Sequence, residues 1–262
     1  MRARVATVWR RVKQVWITLG ISATVVFVAW SLVAYRASGD AREAMRSDST
    51  VKVTRATDSF SFAPTRGRPR AAVGLLFIPG SLVDPVAYAP LARAAAEAGF
   101  PTIIVELPRR GAFGGADGAE PGARASAAMS RGGGPGRWVV AGHSRGGVVA
   151  TNLVGDRPGA FAGLVLIGTS HPRDRSLADV RIPVTKIVGT RDGLASPREV
   201  LANRHLLPAD TRWIWVQGGN HSHFGWYGFQ PGDRRATLPA RTQRGMMTEG
   251  VIAALRGAVP PV

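Results

Sequence analysis

Ser144, Asp192 and His221 are the residues whose types and order could do chemistry. Ser144 is centred in Gly142-His143-Ser144-Arg145-Gly146, between the run RWVVA and an apolar segment. A Gly-x-Ser-x-Gly pentapeptide alone means little, because small residues make it common. Between a strand and a helix it has a mechanical reason: the serine must adopt a strained backbone conformation to project its Oγ above a sheet. Glycines two before and two after remove side chains that would clash in so sharp a turn. The chemistry this suits is nucleophilic attack on an acyl carbon, with the helix N-terminus favouring the developing negative charge.

Such a serine needs a base and an acid that orients the base, following it in the order acid, then histidine. Asp192 lies in Gly189-Thr190-Arg191-Asp192-Gly193 after the run VTKIV, and His221 ends Gln217-Gly218-Gly219-Asn220-His221 after the run RWIWV. A loop aspartate before glycine is by itself usually a turn residue. Its place in the ordered set gives Asp192 the orienting role and His221 that of the general base. An oxyanion hole needs two backbone N–H groups. Arg145 supplies one, and the segment Pro79-Gly80-Ser81-Leu82 the other, with Ser81 the better candidate and Leu82 the second.

Other residues carry weaker readings. His221 and His223 form an H-x-H pair, but without further histidines or clustered carboxylates nearby it falls short of a metal site, and no cofactor is expected. His171 and His205 read as surface or capping histidines, and His143 as packing under the serine turn. Phe113, Phe224, Trp226 and Tyr227 are candidates for an apolar acyl pocket, with core packing as the plain alternative. The chain has no cysteine, which removes a thiolate nucleophile and cysteine-ligated metals.

The elements that must position these residues alternate. Val51–Arg55 and Ser59–Ala63 read as an edge hairpin, and Ala72–Ile78 as a strand covered on both faces. Pro85–Ala98 reads as a helix capped by Asp84 and closed by Gly99. Thr102–Glu106, Arg137–Ala141, Leu164–Ile167, Val184–Val188 and Arg212–Val216 are further strands. Arg145–Val154 and Gln243–Leu255 are helices; Ala123–Ser130 is a short helical stretch, and Arg131–Gly136 a loop. This alternation predicts a mostly parallel, doubly wound sheet with its ligand crevice at the C-terminal ends of the strands. The short connection between GLVLI and VTKIV leaves no room for a helical lid.

The first 36 residues read as a membrane address. Gln14 to Tyr35 is a stretch of 22 residues without charge, enough to span a bilayer, with Trp16, Trp30 and Tyr35 near its ends. Basic residues before it predict a cytoplasmic stub, a single pass and a catalytic domain on the extracytoplasmic side of a bacterial cell membrane. The apolar run is longer than a signal-peptide core, which favours a retained signal-anchor over a cleaved one. Residues 37–49 read as a polar stalk and residues 50–262 as the catalytic domain. The net charge of +17 comes from 34 basic and 17 acidic residues, with only Lys13, Lys52 and Lys186 as lysines. So arginine-rich a composition, without a dense basic run, argues against nucleic-acid binding and fits an anionic envelope surface.

Three stretches together resemble the α/β-hydrolase superfamily, and more narrowly its small bacterial fold-5-like branch, many members of which carry an N-terminal membrane segment. They are FIPGSLVDPVAYAPLARAAAEAGF, WVVAGHSRGG, and VGTRDGLASP with GGNHSHFGWYGFQPGD. The resemblance spans roughly residues 50–257 and implies the same triad of Ser144, Asp192 and His221. Arg145 departs from the leucine or methionine frequent there, and the segment AFGGADG is unusually glycine-rich. The expected activity is that of a carboxylic ester hydrolase, lipase-like, on a small-molecule or lipid acyl ester. Two alternatives stay open: acyl transfer to an envelope lipid or sugar, and a catalytically silent scaffold on the same fold.

Overall fold

The structure, a computed structural model, describes residues 2–65, 71–131 and 134–259. A helix, α1 (Arg2–Ala34), precedes a short α2 (Gly39–Glu43) and a sheet of eight strands. The strands are β1 (Val51–Arg55), β2 (Ser59–Pro64), β3 (Val73–Ile78), β4 (Thr102–Val105), β5 (Arg137–His143), β6 (Gly163–Ile167), β7 (Val184–Gly189) and β8 (Arg212–Val216). The remaining α-helices are α3 (Ala89–Glu97), α4 (Glu120–Ser130), α5 (Arg145–Asp156), α6 (Pro197–Ala202) and α7 (Ala240–Gly257).

The sheet order is β1-β2-β4-β3-β5-β6-β7-β8. The β1–β2 hairpin is antiparallel and joins β4 antiparallel at one edge, while every pairing from β4 through β8 is parallel. The chain runs outward from β3 to β4 and then returns to β5 on the other side of β3. That reversal opens a crevice beyond the C-terminal ends of β3 and β5, where Ile78 and Gly142 are in register. Alternation along β3 divides the core. Val73, Leu75 and Phe77 face α3 and α7, whereas Leu76 and Ile78 face α4 and α5. All six positions of β3 are buried, as a strand covered on both faces requires.

Three expectations change. Residues 85–98 form not one helix but a 3-10 turn, Pro85–Tyr88, followed by α3. Pro90 lacks the N–H that a continuous helix would need there, so it opens a new first turn. Residues 37–49 are no stalk. Ser38 caps α2, and Ala37, Ala41 and Ala44 are buried against the domain. Arg93 of α3 fastens the segment through the Ala44 carbonyl at 3.0 Å and Asp48 at 2.6 Å. The folded unit therefore begins near Tyr35, not at residue 50. Helix α4 also starts earlier than expected, at Glu120. The Arg131–Gly136 loop falls partly outside the described residues.

No helix occupies the β6–β7 connection, in keeping with the lidless expectation. The Val8–Ala34 part of α1 is long and apolar enough to cross a membrane, and almost all of it is exposed.

Candidate active site

The site is built at the switch point. β5 ends at His143, α5 begins at Arg145, and Ser144 between them has φ 53° and ψ −121°. An L-residue enters this left-handed region only under constraint. The Ser144 N–H donates to the Ile167 carbonyl at 3.0 Å, and the Ser144 carbonyl accepts from Gly147 N–H at 2.9 Å. The flanking glycines are forced by contact. A Cβ on Gly142 would strike the Gly146 carbonyl, and one on Gly146 would lie 2.5 Å from the Pro79 carbonyl and nearer still to that of Ile78. The start of α5 thus presses against the end of β3.

Asp192 and His221 are brought together as expected. The His221 Nδ1–H donates to Asp192 Oδ2 at 2.9 Å, with both side chains essentially inaccessible to solvent. The other carboxylate oxygen accepts from Leu194 and Ala195 N–H at 2.9 and 2.6 Å, so three donors fix the Asp192 carboxyl group in place. With Nδ1 committed as a donor, Nε2 is the nitrogen left to accept a proton, and it has no hydrogen-bond partner. Ser144 is half-buried, and its Oγ makes no hydrogen bond among the described residues. Ser144 and His221 share no hydrogen bond among the described residues, a looseness common in unliganded sites; the histidine ring packs against that of His143, the residue before the serine.

His143 packs under the turn. Its Nδ1 lies 2.7 Å from the Tyr88 hydroxyl, and its ring centroid is 4.6 Å from that of His221. Burial, and then the neighbouring His221, push its pKa well below that of a free imidazole, so it stays neutral. Burial also drives the Tyr88 and Tyr227 phenols upward, which keeps both protonated. Among the described residues no group of three His, Cys, Asp or Glu side chains is arranged to hold a metal ion.

The oxyanion candidates separate. Arg145 is the first residue of α5, so its N–H has no partner within the helix. A Cβ on Gly80 would lie 3.4 Å from Ser144 Cβ, which shows that the 79–82 segment reaches the serine. Ser81 N–H has no partner among the described residues. Leu82, with φ 61°, donates its N–H to the Arg110 carbonyl at 2.7 Å and is thereby removed as a donor.

The aromatic pocket does not form. Phe224 is fully buried in the core beside His143. Tyr227 is buried too and donates its hydroxyl proton to Gln230 Oε1 at 3.1 Å. Trp226 is half-buried beneath the Arg244 guanidinium, 5.1 Å from its ring centre. All three hold structure together, and only Phe113, 65% exposed, faces open space. A cavity of about 730 Å³ lined by Val184, Arg212 and Ala254 lies at the opposite edge of the sheet and touches no residue of the site. His205 is at the surface, but His171 is half-buried and its carbonyl accepts from the buried Lys186 ammonium.

Two residues matter to the site without any signal of their own in the sequence. Asp233 ties both partner loops together. Its Oδ1 accepts from Gly193 N–H at 3.1 Å and His221 N–H at 3.2 Å, and its Oδ2 from Ser222 N–H at 2.8 Å and the Ser222 hydroxyl at 2.7 Å. Gln243, at the start of α7, brackets Asn220 by accepting its N–H at 3.0 Å and donating to its carbonyl at 2.5 Å. Asp233 reads as part of a Pro-Gly-Asp turn and Gln243 as the polar face of a helix. Only the contacts distinguish them.

A doubly wound sheet with a serine turn at its switch point, and an Asp–His pair beside it, defines an α/β-hydrolase. Residues 74–245 match the profile of the alpha/beta hydrolase family, and the chain belongs to that family. Among curated proteins no relative matches it. The crystal structure of TT1662 from Thermus thermophilus is similar, with a TM-score of 0.58 and 18% identity over 81% of this chain and 99% of that one. So is one described as a predicted CIB-like hydrolase from Thermoplasma acidophilum, with a TM-score of 0.56 and 13% identity over 79% of this chain and 98% of that one. At these identities the likeness speaks to the fold alone.

Proposed function

We propose that the protein is a membrane-anchored serine hydrolase of carboxylic esters. The observation that carries this reading is the buried Asp192–His221 hydrogen bond, which leaves Nε2 without a partner next to the turn that strains Ser144. His221 Nε2 takes the hydroxyl proton as Ser144 Oγ forms a bond to the ester carbonyl carbon. The N–H groups of Arg145 and Ser81 receive the oxyanion. As the intermediate collapses, the ester C–O bond breaks and the imidazolium returns its proton to the leaving alkoxide. Water, deprotonated by the same nitrogen, then releases the acid from Ser144.

Helix α1 serves in this reading as the anchor, with the catalytic domain on the extracytoplasmic side. A fluorophosphonate probe tests the chemistry. Wild type is expected to label and Ser144→Ala to lose all labelling; a Ser144→Ala protein that labels as fast as wild type would overturn the assignment. Product analysis with water alone and with an added alcohol distinguishes hydrolysis from acyl transfer.

A further inference from the structure

Helix α1 does not merely tether the domain; its last turn is part of the wall around the site. The Ala34 carbonyl accepts from Gly228 N–H at 3.1 Å, and a Cβ on Gly228 would sit 2.5 Å from that oxygen. Ser38 N–H donates to the Trp226 carbonyl at 2.7 Å, just after His221 in the chain. Asp84 N–H, just after the Gly80–Leu82 segment, donates to the Tyr35 carbonyl at 3.0 Å. A run of neighbouring rings, edge-on and then tilted, continues inward from Trp30 through Tyr35, Tyr227 and Tyr88 to His143. A bilayer that holds α1 therefore lies against the edge of the sheet bearing Ser144 and His221.

Loop 108–118 links that bilayer to the serine. It is fixed to the site by the bond from Leu82 to Arg110, by the packing of Gly111 on Ser81, and by the Arg145–Asp117 ion pair. At its turn Phe113, with φ 47°, projects its ring outward and lines a groove of about 660 Å³ with α1. Trp16, Gly20, Thr24, Val28 and Leu32 form the helix side of this groove. The only hydroxyl among them, on Thr24, is already bonded to the Gly20 carbonyl at 2.8 Å, so the lining is apolar. The volume is within the ~300–1,000 Å³ of ligand sites. Leu194 and Phe229, exposed on the loops that carry the acid and the histidine, add apolar surface at the same edge. Arg36 just after α1, Arg109 in the Phe113 loop, and Arg191 and Arg235 on the loops beside Asp192 and after His221 are exposed and add positive charge complementary to anionic headgroups.

We propose that the groove between α1 and Phe113 takes one acyl chain of a membrane lipid ester and presents its carbonyl to Ser144, so that substrate enters from the bilayer and not from water. This inference rests on the serine-hydrolase reading for its chemistry, and on the anchor for its geometry. The absence of cysteine allows a single label to test it. The full chain carrying Phe113→Cys, modified with a bimane fluorophore, is reconstituted into phosphatidylcholine–phosphatidylglycerol vesicles containing lipids with a nitroxide near the headgroup. The label at 113 is expected to be quenched, and one at Asp210→Cys, beside the far cavity, is not. A label at 113 that is no more quenched than the one at 210 overturns the placement. The route itself is read by comparing a hexadecyl with an ethyl fluorophosphonate in the same vesicles. Phe113→Asp is expected to lower the long-to-short labelling ratio by about tenfold. An unchanged ratio overturns the route, whereas failure of wild type to react with either probe overturns the hydrolase reading and leaves the quenching result to decide the surface.

Discussion

The carboxylate of Asp233 illustrates how much of a hydrolytic site lies outside its reacting atoms. It bonds Gly193, one residue after Asp192, as well as His221 and Ser222, so a single side chain sets the separation of the acid and base loops. Every group it contacts there is a donor. Asp233→Asn keeps the shape but turns one oxygen into an NH2, which must then face N–H groups on one loop or the other. Unbonded donors of this kind let a loop drift, and a partner one shell out from the reacting groups typically costs 10–100-fold in activity, about the loss expected in kcat/KM for a short soluble ester. KM should change little, because the Asp233 carboxylate is taken up by N–H groups and a hydroxyl of the loops themselves. Activity within about twofold of wild type would show that the loops hold their spacing without it. The pairing of Asp192 with His221 was legible because both follow the serine turn at the ends of later strands. Asp233 was not, because a Pro-Gly-Asp turn looks the same whether or not its carboxylate bridges two loops.

At the scale of elements, the close approach of α5 to β3 is the joint on which the site depends. Gly146 is where the two meet, with the Ile78 and Pro79 carbonyls occupying the space a side chain would need. Backbone cannot yield as a side-chain tip can, so Gly146→Ala must lift α5 away from the sheet. Overpacking of this kind costs about 1–3 kcal/mol, or about 2–12 °C in Tm for a domain of this size, and labelling of Ser144 should fall with it. A Gly146→Ala protein with unchanged melting would mean the joint is softer than its geometry indicates. Most strands and helices were legible from apolar runs and caps, since burial on both faces leaves continuous runs like VGLLFI. Two elements were misread for local reasons. Pro90 sits inside an otherwise good helical pattern, and the alanines at 37, 41 and 44 are too small to stand out in a polar segment, although their spacing packs α2 on the domain.

For the molecule as a whole, the excess of arginine places many cations at the surface but one lysine in the interior. Lys186, in the middle of β7, is 1% exposed, and its only side-chain hydrogen bond among the described residues is to the His171 carbonyl. Burial, and then the nearby Arg173 guanidinium, lower its pKa to about 7. The His171 imidazole, lowered to about 4 mainly by burial, is uncharged above that range and gives no compensating charge. In the unfolded chain the lysine returns to its ordinary value of 10.5. Between roughly pH 7 and 10.5 the unfolded state therefore binds a proton that the folded state does not, and stability rises with pH. The slope from this group is at most about 1.4 kcal/mol per pH unit, and it vanishes below pH 7, where both states are charged. Lys186→Met keeps the length and apolar stem while removing the proton, so the variant's unfolding free energy should lack that slope. The difference between wild type and variant, followed by urea unfolding in detergent from pH 7 to 9, isolates Lys186 from the surface arginines, which do not titrate there. Parallel pH curves for the two proteins would show that Lys186 keeps its charge in the folded core.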